Sequence, residues 1–161
     1  MSKTKVKKIE SLLPIINALK KEGKKIITTN GVFDILHVGH IRYLQEAKAL
    51  GDILIVAINE DSSVKRLKGE ARPLNSQEDR AEALAALECV DFVTFFSEDT
   101  PIELLEKIKP DIHTKGGDYQ LDQIVEKEVV EQNKGKIVIL REVGGFSTTN
   151  LINKILSAYK K

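Results

Sequence analysis

Asp52–Ala57 (DILIVA) is an apolar run with no polar alternation, the pattern of a strand covered on both faces. Such a strand needs helices above and below its sheet, which points to an α/β layered fold. Just upstream, Val38–Leu50 puts Ile41, Leu44 and Ala47 on one helical face and ends at Gly51, and Lys24–Thr29 reads as a short strand. Strand, helix and strand at this spacing form a right-handed βαβ unit.

The rest of the chain repeats the alternation. Ahead of the unit, Ile9, Leu12, Leu13, Ile16 and Leu19 recur at helical spacing and Gly23 supplies a stop. This helix reads as an appendage that covers a sheet edge or meets a partner subunit. Beyond the unit, Asn59–Asn75 is polar and cationic and reads as a short helical turn and a loop. A helix capped by Ser76 then runs to about Leu87. Val90–Phe96 is a third strand, and Thr100-Pro101 opens a helix with proline at its first position. Asp111–Lys115 is a fourth strand, Asp122–Asn133 a polar helix, Lys136–Leu140 a fifth strand, and Ser147–Asn150 caps a last helix with Leu151, Ile152, Ile155, Leu156 and Tyr159 on one face. The expectation is one domain over residues 1–161, a doubly wound five-stranded parallel sheet, with residues 1–23 as the appendage and 24–161 as the core. Ligands in such sheets bind beyond the carboxyl ends of the strands.

Composition narrows the partners. Lys and Arg number 25 against 24 Asp and Glu, so the net charge of +1 lacks the broad basic footprint of a nucleic-acid binder. Cys89 has no cysteine to pair with, which fits a reduced compartment, and no apolar run approaches the roughly 18 residues a bilayer span requires. The lysine-rich Met1–Lys8 has no apolar stretch behind it. The chain is expected to be cytoplasmic, with no membrane or nucleic-acid partner.

Asn30–His40 (NGVFDILHVGH) lies between the first strand and the helix after it. His37 and His40, with Gly39 between them, line one side of a turn where unpaired amides and the helix dipole favour an anion. The plain alternative is a turn residue at 37 and a helix cap at 40. Zinc is disfavoured, since only His113 and Cys89 could complete a site and both lie far away in sequence. Asp34 is either a turn-former or a ligand for a hard cation such as Mg²⁺. Lys65, Arg66, Lys68 and Arg72 follow the second strand, where a cationic loop could close on a triphosphate, and Arg80 stands one turn into the next helix. Ser147-Thr148-Thr149 reads as a phosphate cradle or as a plain cap.

Gly31–His40 together with Ser147-Thr148-Thr149 resembles the HxGH nucleotidyltransferase superfamily, in particular its cytidylyltransferase-like group, over about Lys24–Leu156. The series NGVFDILHVGH, SVKRLKGEARPLN, TKGGDY and FSTTNLI is most similar to the branch that adenylylates D-glycero-β-D-manno-heptose 1-phosphate; with no kinase domain alongside, the resemblance implies its stand-alone form. It implies a Rossmann-like fold, transfer of AMP from ATP to the sugar 1-phosphate with release of pyrophosphate, ADP-heptose for lipopolysaccharide core assembly, Mg²⁺ and a homodimer.

By position, the resemblance implies catalytic roles for His37, His40 and Lys68. Asn30, Gly31, Phe33, Gly39, Arg80, Lys115, Gly116, Asp118, Arg141, Ser147, Thr148 and Thr149 would lie at the nucleotide, with Gly117 beside them. Asp34, Lys65 and Arg72 would lie at the substrate phosphate, and Asp34 is also the candidate metal ligand. The alternative enzyme is a cytidylyltransferase for an alcohol phosphate such as glycerol 3-phosphate, whose relatives carry threonine where this chain has Val32. A non-catalytic nucleotide sensor would be expected to have lost the histidines or loop lysines.

Overall fold

The computed structural model describes residues 4–117, 120–141 and 146–159. Five strands, β1 (Ile26–Gly31), β2 (Ile53–Asn59), β3 (Phe92–Phe96), β4 (Ile112–Gly116) and β5 (Lys136–Leu140), form one sheet in the order β3-β2-β1-β4-β5. Every pairing is parallel. The helices are α1 (Ile9–Lys21), α2 (Val38–Lys48), α3 (Asp61–Lys68), α4 (Gln77–Ala85), α5 (Ile102–Ile108), α6 (Lys127–Gln132) and α7 (Thr148–Tyr159). The doubly wound fold expected from the βαβ spacing is the one observed. The winding reverses between β1 and β4, and there the strands' carboxyl ends open a crevice.

Side-chain alternation along the strands sorts the core into two layers. Ile27, Leu54, Val56 and Ile58 face α2 and α4, where they meet Leu44, Ala81 and Leu84. On the opposite face Ile26, Ile55, Ala57 and Phe96 meet Leu12 and Ile16 of α1 and Leu104 and Ile108 of α5. Asn30 lies two residues beyond Thr28 on this second face, as Lys115 lies two beyond His113. The α6 side chains Val129 and Val130 pack on Leu105 of α5.

The N-terminal helix departs from the appendage reading. Leu12 and Ile16 are 0% exposed, and burying each contributes on the order of 2 kcal/mol, so α1 belongs to the core layer. The segment ahead of it covers the sheet edge: Val6 pairs with Val93 of β3, Lys7 N–H donates to the Val93 carbonyl at 2.9 Å, and Val93 N–H donates to the Lys5 carbonyl at 3.0 Å.

Some boundaries also differ from expectation. β1 runs on through Asn30 and Gly31, so the first two residues of the histidine motif are paired strand. The polar helix expected over 122–133 breaks into one 3₁₀ turn at Leu121–Gln123 and the short α6. Ile124 and Glu126, 5% and 3% exposed, anchor the break to the body. Tertiary burial there outweighs local helical preference.

Candidate active site

At the reversal point lies a cavity of about 690 Å³. Its walls include Asn30, Gly31, Phe33 and Asp34 from the motif, His40 and Tyr43 of α2, Lys68 and Arg72, Lys115 and Gly116 of β4, and Thr148 and Thr149 of α7. A smaller cleft of about 190 Å³ is lined by His37, Val38, Phe146, Ser147, Asn150 and Leu151. The candidate residues from four separate stretches thus converge on one end of the sheet.

The two imidazoles define the shared wall. Their ring centroids lie 3.8 Å apart and nearly parallel, at 21°, with the Phe33 ring 5.2 Å from His40. His37 occupies the N-cap position of α2 but makes no side-chain cap bond, so its ring is not engaged in capping. Nδ1 of both histidines is buried without a hydrogen-bond partner, a costly arrangement that marks a place for a ligand atom. Burial, and then the charge of His37, push His40 down from 6.5 to about 4 despite the Ile35 carbonyl, while burial alone lowers His37. Both rings are therefore neutral at pH 7, each offering one N–H and one lone pair. The first turn of α2 has no acidic residue to compete for its amides.

Close packing explains two glycines. A Cβ on Gly31 would sit 2.9 Å from the Phe33 ring, and one on Gly39 would sit 2.9 Å from Cβ of Phe146 and 3.0 Å from the His37 ring. Phe33 itself takes φ 50°, a left-handed conformation unfavourable for a bulky residue. It is held there from both sides. The carbonyl of Val32 accepts from Arg80 Nη1 at 2.6 Å, and the Asp34 carboxylate accepts from Leu74 N–H and Asn75 N–H at 2.9 Å and from Arg72 Nε at 2.6 Å.

These bonds correct two expectations. Arg80, expected near the nucleotide, has a side chain 0% exposed; it also bonds the carbonyls of Asn59 and Asn75 and the Asp61 carboxylate, so it braces the motif from behind. Asp34, expected as a metal or substrate-phosphate ligand, has a carboxylate 0% exposed and engaged by three donors. Burial opposes its ionisation, but the Asn75 and Leu74 amides and Arg72 outweigh that and hold its carboxyl below the usual value of 3.8. Among the described residues no group of three His, Cys, Asp or Glu could hold a metal ion, and the enclosed, fully engaged Asp34 carboxylate does not fit as a Mg²⁺ ligand.

Other candidates fall as follows. Lys68 ends α3 exposed at the cavity, and Arg72 reaches it while bonded to Asp34; Lys65 is exposed outside the lining, and Arg66 is drawn away onto Asp99 and the Ser97 carbonyl. Ser147 Oγ caps α7 by accepting from Asn150 N–H at 3.0 Å. Arg141 is exposed at the end of β5, outside the lining of either cavity. Asp118, and the glycine pair Gly144-Gly145 before the last helix, lie outside the described residues.

Sequence reasoning missed several wall residues, Tyr43, Asn59 and Glu126 among them. Tyr43, three residues after His40 on the same helix face, hydrogen-bonds Thr29 at 2.7 Å and Thr114 at 3.1 Å; helical spacing could have found it. Asn59, at the end of β2, carried no motif signal. Glu126 bonds Lys115 Nζ at 2.6 Å, and nothing in the local sequence marks it.

Residues 28–156 match the family described as cytidylyltransferase-like. The protein named bifunctional protein HldE in Geobacter sulfurreducens is 53% identical over 155 residues, which span 96% of this chain and 32% of that protein. Its namesake in Geobacter metallireducens is 52% identical over 158 residues, 98% of this chain and 32% of that protein. The chain thus spans 32% of the length of these curated relatives. A crystal structure titled as the lipopolysaccharide core biosynthesis protein from Thermoplasma volcanium GSS1 aligns with a TM-score of 0.62 at 33% identity, covering 74% of this chain and 97% of that one.

Asp34→Asn tests the bracing role. Replacing a buried, paired carboxylate should destabilise the protein by about 3 kcal/mol in urea unfolding. Because the native pKa is depressed, the stabilisation is present above pH 3.8 and lost as pH falls through the lower native value, and the variant should lack that loss. Unchanged stability with a loss confined to magnesium dependence would restore the metal-ligand reading.

Proposed function

The chain belongs to the cytidylyltransferase-like family of nucleotidyltransferases, and on that premise we propose that it transfers AMP from ATP to D-glycero-β-D-manno-heptose 1-phosphate. The observation that carries this reading is the stacked pair of neutral imidazoles with buried, unpartnered Nδ1 atoms, set between the N-termini of α2 and α7 beside Lys68. That is an arrangement for a phosphoanhydride under attack. The choice of sugar and base is supported by the motif series; the solved structure's name, a lipopolysaccharide core biosynthesis protein, supports the biosynthetic setting alone.

An oxygen of the sugar phosphate attacks Pα in line; the new O–Pα bond forms as the Pα–O bond to the β-phosphate breaks, and pyrophosphate leaves with the electron pair. No covalent enzyme intermediate is needed. The nucleophile is already an anion, so the chain's own task is alignment and charge stabilisation. His37 and His40 donate to the transferring phosphoryl group, Lys68 and Arg72 neutralise the triphosphate and incoming phosphate, and Ser147, Thr148 and Thr149 receive the terminal phosphates at the start of α7. Gly116 at the end of β4 stands at the nucleotide. Any Mg²⁺ enters with the triphosphate rather than on Asp34.

No described helix is long and apolar enough to cross a membrane. The reaction is assigned to the cytoplasm, where ATP is available. We also assign a homodimer: α7 buries none of its residues and leaves Ile155, Leu156 and Tyr159 48%, 57% and 82% exposed, an apolar stripe suited to a second copy. Sedimentation velocity should show twice the chain mass, and a monomer would remove the assignment.

Pyrophosphate release with ATP or CTP, against heptose 1-phosphate or glycerol 3-phosphate, tests the reaction. Turnover only with CTP and the alcohol phosphate would replace the proposed activity with the alternative one. His40→Ala should lower kcat by about 10²–10³ with nucleotide Kd within a few-fold, as for a lost transition-state donor; equal losses in both would make its role ground-state binding. Calorimetry reads the imidazoles directly. His40 titrates at about 4 in the free protein, so a bound polyphosphate that raises it makes ATP binding take up protons at roughly pH 5 to 6. Because the terminal phosphate of ATP also titrates at about pH 6, the readout is the difference from His40→Ala: the wild-type heat should show the extra buffer-dependent proton uptake, and equal uptake in both would keep the phosphates away from His40.

A further inference from the structure

The cavity is chemically divided by the sheet. On the face of α2 stand His40 and Tyr43, with the start of α7 beside His37. On the opposite face, that of α5 and α6, the strand ends carry Asn30 and Lys115. Lys115 Nζ donates to Asn30 Oδ1 at 2.8 Å and to Glu126 Oε1 at 2.6 Å. The Lys115 and Glu126 side chains are 8% and 4% exposed, and all three residues line the cavity.

Burying an ammonium and a carboxylate together carries a desolvation cost that a pair of apolar residues would avoid, so such a pair is poor support for a purely structural role. Its charges cancel, which makes this wall useless for neutralising a phosphate. What it offers is a fixed, neutral array of hydrogen-bonding groups, extended by Thr100 and Gln123 of the same lining. An array of that kind matches a polyol, whose hydroxyls both donate and accept.

We propose that Asn30, Lys115 and Glu126 form the subsite that reads the hydroxyl groups of the acceptor sugar, with Glu126 its specificity-determining carboxylate. The assignment rests on the proposed transfer to a sugar 1-phosphate. It moves the Asn30 and Lys115 side chains from the nucleotide, where the resemblance puts them, to the acceptor. The division of the cavity gives the reason: the imidazoles and the start of α7 stand on one side, with Lys68 and Arg72 reaching the cavity from α3 and the loop after it, so an acceptor phosphate attacking from across the sheet end leaves its sugar on the α5 and α6 side. Glu126 accepts from a sugar hydroxyl and Lys115 holds the carboxylate in place. Substrates lacking hydroxyls leave a buried charged pair unsolvated, which is a strong basis for rejection.

The test uses pyrophosphate release by the full chain. In Glu126→Gln the KM for heptose 1-phosphate should rise at least tenfold, while the KM for ATP moves less than threefold. Discrimination against deoxy analogues of the sugar phosphate should shrink. The paired substitution Lys115→Met with Glu126→Met removes both charges without stranding either one, so it guards against misfolding; circular dichroism and thermal melting confirm its fold, and it should show the same acceptor defect. An unchanged acceptor KM in either folded variant, or an equal rise in the KM for ATP, overturns the subsite and leaves the proposed reaction standing. Wild-type turnover with glycerol 3-phosphate but not with any sugar 1-phosphate overturns the reaction and the subsite together.

Discussion

The buried carboxylate of Asp34 ties the site together. It sits just past the end of the central strand β1, and its three donors come from Arg72, Leu74 and Asn75, on the loop that follows α3. A charge so deeply desolvated is tolerated only when its acceptor capacity is met, so the loop has little freedom to leave. Arg80 makes the complementary bond on the other side of the turn by taking the Val32 carbonyl. Between the two, Phe33 is kept in its left-handed conformation and its ring against His40. The geometry of the imidazole pair is therefore set by ion-pair and backbone bonds outside the pair itself.

That scaffolding shows how a chain with almost no net charge would build the proposed anion site. The cations nearest the motif are divided by burial. Arg80 is enclosed and braces the backbone, Arg66 is turned outward onto Asp99, Arg72 is shared between Asp34 and the cavity, and Lys68 faces the cavity from the end of α3. The histidines are neutral because burial removes the water that would stabilise their charged forms. In the proposed reaction, uncharged imidazoles and helix amides would stabilise charge most where it concentrates, on the transferring phosphoryl group.

Much of this was legible in the residues. The unalternating DILIVA run marked a doubly covered strand, and the helical spacing around it fixed the alternation of the whole fold. The histidine motif and the Ser-Thr-Thr cap could be located because each sits at an element boundary whose signals are local. Other features were illegible for physical reasons. Whether Arg80 is a ligand or a brace depends on carbonyls at positions 32, 59 and 75, far apart in sequence. Asp34 looks identical as turn-former and cation ligand until the loop amides arrive. Glu126 follows a break in a helix that local propensity would have continued, and only its burial against Lys115 shows why the break is there.

Sequence alone determined the layered α/β class and the number of strands, and it marked the stretches proposed to carry chemistry, because periodicity, caps and glycines act over a few residues. Tertiary structure alone decided that α1 is core rather than appendage, which charged groups face the cavity, and that Lys115 is paired with Glu126 there. Those outcomes depend on desolvation, and how much water a side chain loses is settled by residues distant in the chain that pack around it.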